Sequence, residues 1–87
     1  MDPQATLRDL LSALEDRDWD RIDELSEALL QWMERGGFPP QTLGSEKLGK
    51  QWHRTVATFV CYAAASKSRD AAKRRRRKKR EATDAAQ

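Results

Sequence analysis

At 87 residues with a formal net charge of +3, the chain has room for one small domain built around one core. Charged residues make up 36% and hydrophobic residues 38%, a balance that excludes disorder of the whole chain and suits an amphipathic helical bundle. The single cysteine excludes an intrachain disulfide, so we expect a cytoplasmic protein, or a nuclear one if the source is eukaryotic.

The charge is divided unevenly along the chain. Residues 1–66 carry 7 Lys/Arg against 11 Asp/Glu, whereas residues 67–87 carry 10 against 3. We therefore expect an acidic helical bundle over 1–66 and a basic C-terminal extension over 67–87. No signal-peptide core is present, and the longest mainly apolar run, residues 56–65, is shorter than the roughly 20 residues that span a bilayer. The sequence predicts no transmembrane segment.

The first helix is predicted over residues 3–15. Asp2 is suited to cap its N-terminus, and Pro3 takes the first helical position, where a missing N–H costs nothing. Leucines then recur at helical spacing and predict one apolar face, formed by Leu7, Leu10, Leu11 and Leu14.

The second helix is predicted over residues 18–35, capped by Asp16 or Asp18 and ended by Gly36 and Gly37. The short connection to helix one favours an antiparallel helical hairpin. A broad apolar stripe should face the core, formed by Trp19, Ile22, Leu25, Leu29, Leu30, Trp32 and Met33.

A loop rich in glycine and proline follows the hairpin. We expect its apolar residues, Phe38 and Leu43, to fold back over the open end of the core, because Pro39-Pro40 alone lacks the spacing of polyproline ligands. The alternative is a docking loop for a partner protein.

The third helix is predicted over residues 45–72, with Ser45 as its cap. Its large apolar residues predict a core-facing stripe formed by Leu48, Trp52, Val56, Phe59, Val60 and Ala63. A second face of small residues would allow another helix to approach closely, and it comprises Ala57, Cys61, Ala64 and Ala65. The predicted fold is all-α: a small three-helix bundle, made of a hairpin and a long third helix, with a basic, partly disordered C-terminal tail.

No catalytic or metal-binding constellation is found in the sequence. His53 and Cys61 are eight residues apart, about 12 Å along a helix, which exceeds the reach of a nucleophile–base hydrogen bond. One cysteine and one histidine do not form a structural zinc site, and no glycine-rich phosphate loop occurs. We therefore predict a protein that is not an enzyme and needs no cofactor or metal.

A run of eight cations near the C-terminus is the strongest functional signal. Such a run neutralises phosphates and releases condensed counterions, and arginine's planar fork suits phosphate and stacked bases. DNA or RNA is thus the predicted partner. Import into a nucleus, an anionic membrane and simple solubility remain alternatives for the same run. The predicted nucleic-acid-binding residues are Lys73, Arg74, Arg75, Arg76, Arg77, Lys78, Lys79 and Arg80.

Two functions of different class follow from the sequence. The first is a small nucleic-acid-associated protein that binds phosphate backbones through its basic tail without strong sequence specificity. The second is a protein-interaction or adaptor module that uses its acidic and apolar surface, with the tail as a localisation signal or solubilising end. A homodimer burying part of the wide third helix is compatible with both. The predicted partner surface comprises Asp20, Asp23, Glu24, Glu27 and Phe38.

Overall fold

The computed structural model describes residues 1–85, with side chains through Arg76. Within this part of the chain the protein consists of three α-helices and no β-strand: α1 (Pro3–Asp16), α2 (Trp19–Glu34) and α3 (Lys50–Ala85), with a short 3-10 turn before α3 (Glu46–Leu48). The predicted all-helical fold of three helices is confirmed.

The first two helices begin at the predicted aspartates. Asp2 Oδ1 accepts hydrogen bonds from the backbone N–H groups of Gln4 (3.0 Å) and Ala5 (3.2 Å). Asp18 Oδ1 accepts a longer bond from the N–H of Arg21 (3.4 Å). These bonds satisfy donors that the first turn of a helix leaves unpaired.

The helix ends also have a local cause. Arg17 adopts left-handed backbone angles (φ 56°) directly after α1, which permits the two-residue connection to α2. After α2, Gly36 takes φ 88°, a conformation that glycine adopts without strain. A Cβ on Gly37 would collide with the indole of Trp32, so glycine is required there by space.

The third helix begins later than the sequence suggested. Ser45 caps the 3-10 turn, where its Oγ accepts from the N–H of Lys47 at 3.3 Å. Gly49 then takes φ 91° and ψ 164°, which a right-handed helix cannot include, and α3 starts at Lys50. The helix ends at Ala85, beyond the predicted end near residue 72, since no glycine or proline interrupts the Ala/Lys/Arg-rich sequence. A partly disordered tail stays a prediction.

The core lies mainly on both sides of α2. This helix packs against α1 and against α3, whereas α1 and α3 contact each other little. The buried apolar residues are Leu7, Leu10, Ala13, Ile22, Leu29, Met33, Ala57, Cys61 and Ala64.

The large apolar stripe predicted for α3 is mostly exposed, whereas the predicted face of small residues is the one that packs in the bundle. The helix turns its small residues, Ala57, Cys61 and Ala64, toward the core. Four of the six positions of the predicted stripe are instead exposed: Leu48 at 51%, Trp52 at 46%, Phe59 at 73%, and Ala63. The small face is preferred because small side chains let the backbone of α3 approach α2 closely and keep packing dense. The same rotation exposes an apolar surface on the far side.

The expected covering of the core by Phe38 and Leu43 is also wrong. Both side chains are mostly exposed, at 59% and 70%. Pro40 is the loop residue that is fully buried, and Pro3 is buried likewise. A proline ring covers apolar surface and brings no N–H that would need a partner.

Candidate nucleic-acid and partner surfaces

The basic run begins immediately past the last residues of α3 that contact the bundle. Ser68 is buried and Ala71 is half-buried, whereas Ala72 and every side chain from Lys73 to Arg76 are exposed. The side chains of Arg77, Lys78, Lys79 and Arg80 lie outside the described part of the structure.

The described cations surround the helix. Successive residues of an α-helix are rotated by about 100°, so the four side chains from Lys73 to Arg76 cover about 300° of its circumference. They form a segment that is positive on most sides and not a flat basic patch. Such a segment can contact phosphates from several directions, which fits attraction to a polyanion better than docking in one fixed orientation.

The four acids predicted as a partner surface share one face of α2. Asp20, Asp23, Glu24 and Glu27 follow the i, i+3, i+4, i+7 spacing, and all four are exposed. The ion pairs found among the described side chains join Asp9 to Arg8 (3.8 Å) and to Arg21 (3.9 Å). No ion pair in that part of the chain therefore compensates the acidic face of α2.

Phe38 does not extend this acidic face. Its ring packs edge-on against Trp32, with ring centroids 5.8 Å apart, and its carbonyl accepts a hydrogen bond from Trp32 Nε1 at 2.9 Å. Trp32 lies five residues after Glu27, which is about 140° around the helix. Phe38 and the four acids, which were predicted as one partner surface, thus lie on two separate surfaces of the protein.

Residues His53 and Cys61, which the sequence analysis weighed as a catalytic pair, are both buried in α3. Cys61 is fully buried, and this desolvation raises the pKa of its thiol from 9.0 to about 11. The thiol is therefore protonated at neutral pH. Both ring nitrogens of His53 are occupied by hydrogen bonds to the loop, Nδ1 with Thr42 and Nε2 with Ser45. The hydrogen bonds of His53 and the burial of Cys61 indicate a structural role for both residues.

The loop between α2 and α3 is held by side chains from all three helices. Trp32 Nε1 donates to the carbonyl of Phe38, and Trp52 Nε1 donates to the carbonyl of Leu43, each at 2.9 Å. The Gln4 amide pairs with the backbone of Gln41, accepting from its N–H at 2.8 Å and donating to its carbonyl at 3.3 Å. Sequence reasoning missed this network, because the pairing of a side chain with a distant backbone group leaves no periodic signal.

A groove of about 860 Å³ lies between α1 and α3, the two helices that share α2 as a neighbour. Its apolar lining comes from Leu7 and Leu11 of α1, Leu43 of the loop, and Val56 and Val60 of α3. Leu11 is 45% exposed. The groove is therefore an open apolar channel beside the exposed face of α3.

The described residues contain no cluster of three or more His, Cys, Asp or Glu side chains placed to hold a metal ion. None of the helices, as far as the chain is described, combines the length and apolar character needed to cross a membrane.

Comparisons with protein-family models, with curated proteins and with solved structures gave no match to this chain.

Proposed function

We propose that this is a small non-enzymatic protein that associates with nucleic acid through a basic arm, residues 73–80, carried at the end of α3. The observation that supports the proposal is the position of the cations. They start where α3 loses contact with the bundle, so their charge is available to a ligand without disturbing the core.

Physical chemistry favours a polyanion as the ligand of this arm. Eight consecutive cations repel one another, and phosphates relieve that repulsion while counterions are released to the solvent. If all eight engaged duplex DNA, the slope of log K against log salt would approach roughly −7. The arm is a uniform run of lysine and arginine, so binding should depend on charge and salt more than on base sequence.

The test compares the full chain with a truncation after Ala72, which keeps the buried Ser68 and the half-buried Ala71. A second variant replaces all eight cations with glutamine, which preserves helix propensity while removing charge. Binding to duplex DNA and to single-stranded RNA is measured by fluorescence anisotropy across salt concentrations. The full chain should bind with a steep salt slope, and both variants should lose most affinity. Equal binding by the three chains, or no binding by the full chain at low salt, would refute the proposal.

A protein-interaction module is the second candidate function, supported by the uncompensated acidic face of α2. In that case a basic partner surface would bind Asp20, Asp23, Glu24 and Glu27, and the arm would serve localisation or solubility. Recovery of the protein from its cells with and without nuclease separates the two: partners retained after digestion favour the second function, and partners lost favour the first.

A further inference from the structure

The basic arm shares one face of α3 with two exposed aromatic side chains. Phe59 is 73% exposed and Tyr62 is 57% exposed, and the cations follow them along the same helix. We define the aromatic–basic strip as five exposed residues of this face: Phe59, Tyr62, Ser66, Arg69 and Lys73.

Helix geometry aligns the residues of the strip. Successive positions of a helix are rotated by about 100°, so steps of three and four residues keep the five side chains within about 80° of the circumference. Tyr62, Arg69 and Lys73 fall within about 40° of one another. At 1.5 Å per residue, Tyr62 and Lys73 are about 16 Å apart along the axis. One extended ligand can therefore contact the rings and the cations from the same side of the helix.

Positive charge dominates the C-terminal half of the strip. Residues 66–76 carry six Lys/Arg and one acid, Asp70. Asp70 lies at the border of the strip, about 20° beyond the direction of Phe59. Neither Arg69 nor Lys73 forms an ion pair among the described side chains. Both cations can therefore bind an anionic ligand without breaking a contact of the bundle.

We propose that the aromatic–basic strip binds single-stranded nucleic acid. Bases of the strand stack on the rings of Phe59 and Tyr62. Its phosphates pair with Arg69 and Lys73 and then follow the rest of the basic arm. The inference rests on the proposed function and narrows its ligand from nucleic acid in general to a single strand.

Exposed rings favour a single strand over a duplex. In a duplex the bases stack on one another, so a protein reaches only phosphates, sugars and base edges. A single strand exposes the faces of its bases, on which aromatic side chains stack. Removal of one such ring weakens binding by about 5- to 150-fold in known single-strand complexes. The rings thus add affinity for a single strand that charge alone does not provide.

The combination of rings and cations also favours nucleic acid over a protein partner. An apolar protein surface would cover the two rings but leave the charges of Arg69 and Lys73 unmatched. An acidic protein surface would match the charges but not the rings. A single strand supplies an aromatic base and a phosphate in every nucleotide, so it matches both parts of the strip.

The experiment compares a single-stranded DNA of about 16 nucleotides with the duplex of the same sequence, by fluorescence anisotropy across salt concentrations. The variant Phe59→Ala/Tyr62→Ala removes both rings and retains every cation. It should weaken binding to the single strand by about tenfold or more and binding to the duplex by less than about twofold. The salt slope for the single strand should stay at the parent value, because the number of phosphate contacts is unchanged.

Two substitutions of Phe59 separate stacking from apolar contact. Phe59→Trp retains an aromatic ring and should keep the affinity for the single strand, whereas Phe59→Leu retains apolar bulk and should weaken it by about fivefold or more. Phe38→Ala is the matched control, since Phe38 is an exposed phenylalanine outside α3 and its removal should leave binding unchanged. Far-UV circular dichroism of each variant checks that the helices form.

The outcomes distinguish this inference from the proposed function. Equal losses on the single strand and the duplex, or equal binding by Phe59→Leu and Phe59→Trp, overturn the stacking role but leave charge-driven binding by the arm intact. A parent chain that binds neither DNA at low salt overturns both. Sedimentation equilibrium of the parent and of Phe59→Ala/Tyr62→Ala tests for a protein contact, and a change of oligomeric state between them contradicts the stacking role.

Discussion

His53 and Thr42 are joined by a hydrogen bond in which the backbone N–H of Thr42 donates to His53 Nδ1 at 3.0 Å. The Thr42 hydroxyl lies 2.9 Å from the same nitrogen, and Nε2 is 2.9 Å from the carbonyl of Ser45. Because a carbonyl only accepts, Nε2 carries the proton and Nδ1 is the acceptor. The neutral imidazole of His53, 4% exposed, thus connects α3 to two residues of the loop, Thr42 and Ser45.

Replacement of His53 by alanine should destabilise the fold by about 3 kcal/mol, because it leaves the Thr42 N–H and the Ser45 carbonyl without partners and creates a cavity. Urea unfolding monitored by circular dichroism measures the effect. His53→Gln is the informative companion variant, since its amide retains one donor and one acceptor and should recover part of the loss. If alanine and wild type unfold at the same urea concentration, the histidine does not hold the loop.

The Gln4–Gln41 pairing gives a second test of the loop. Gln4→Ala removes both hydrogen bonds to the Gln41 backbone and should cost about 1 kcal/mol, since the site is exposed and water can replace the lost partners. Amide hydrogen exchange at Gln41 should accelerate. Gln31→Ala is the control, because the Gln31 amide bonds only to the Glu27 side chain at 3.3 Å, and its effect should be within a few tenths of a kcal/mol. Equal losses of stability in Gln4→Ala and Gln31→Ala would show that the Gln4–Gln41 pairing does not stabilise the loop.

The chemistry of Cys61 should be that of a buried thiol. Its pKa of about 11 and its complete burial mean that a neutral thiol reagent at pH 8 should modify it only as fast as the bundle opens. Gln31→Cys supplies an exposed thiol in the same chain and should react at the rate of a small-molecule thiol. Fast modification of Cys61 in the folded parent would show that α3 does not protect it.

The same thiol makes stability depend on pH in the alkaline range. The pKa is raised from 9.0 in the unfolded chain to about 11 in the folded one, so the folded state retains a proton that the unfolded state releases. The contribution to stability is complete below pH 9 and is lost as the pH rises toward 11. Cys61→Ser provides the comparison, and the difference between its unfolding curve and the parent's should change over that interval alone.

Much of the local structure could be predicted from the sequence, but the rotation of α3 could not. Helix caps and helix ends depend on residues that are close in sequence. The sequence therefore predicted correctly that Asp2 and Asp18 cap helices and that α2 ends before Gly36. The burial of α3 depends on how closely a neighbour can approach, and hydrophobicity alone favoured Phe59 over Ala57. The acidic face of α2 was predictable from spacing, whereas the separation of Phe38 from it depended on the contact with Trp32.

Close packing of α3 on α2 leads to a further prediction. Ala57 is fully buried, and Ala57→Leu adds volume where the helices are in contact, which should cost about 1–3 kcal/mol. Ala72→Leu makes the same chemical change at an exposed position of α3 and should be nearly neutral. Thermal unfolding of the two variants measures the difference. Equal melting temperatures would mean that the small face of α3 is not close-packed.

The acidic face of α2 should compete with nucleic acid for the basic arm. Neutralising it with Asp20→Asn, Asp23→Asn, Glu24→Gln and Glu27→Gln raises the net charge by four and should tighten binding to duplex DNA. The control variant Glu15→Lys/Glu46→Lys raises the net charge by the same amount at other exposed positions. Comparing the two variants separates competition by the acidic face from the general attraction of a more positive protein to DNA. We expect the first variant to bind several-fold more tightly than the second at moderate salt, with the gap closing as salt screens the contact between face and arm. Identical affinities for the two variants would show that the acids act only through net charge.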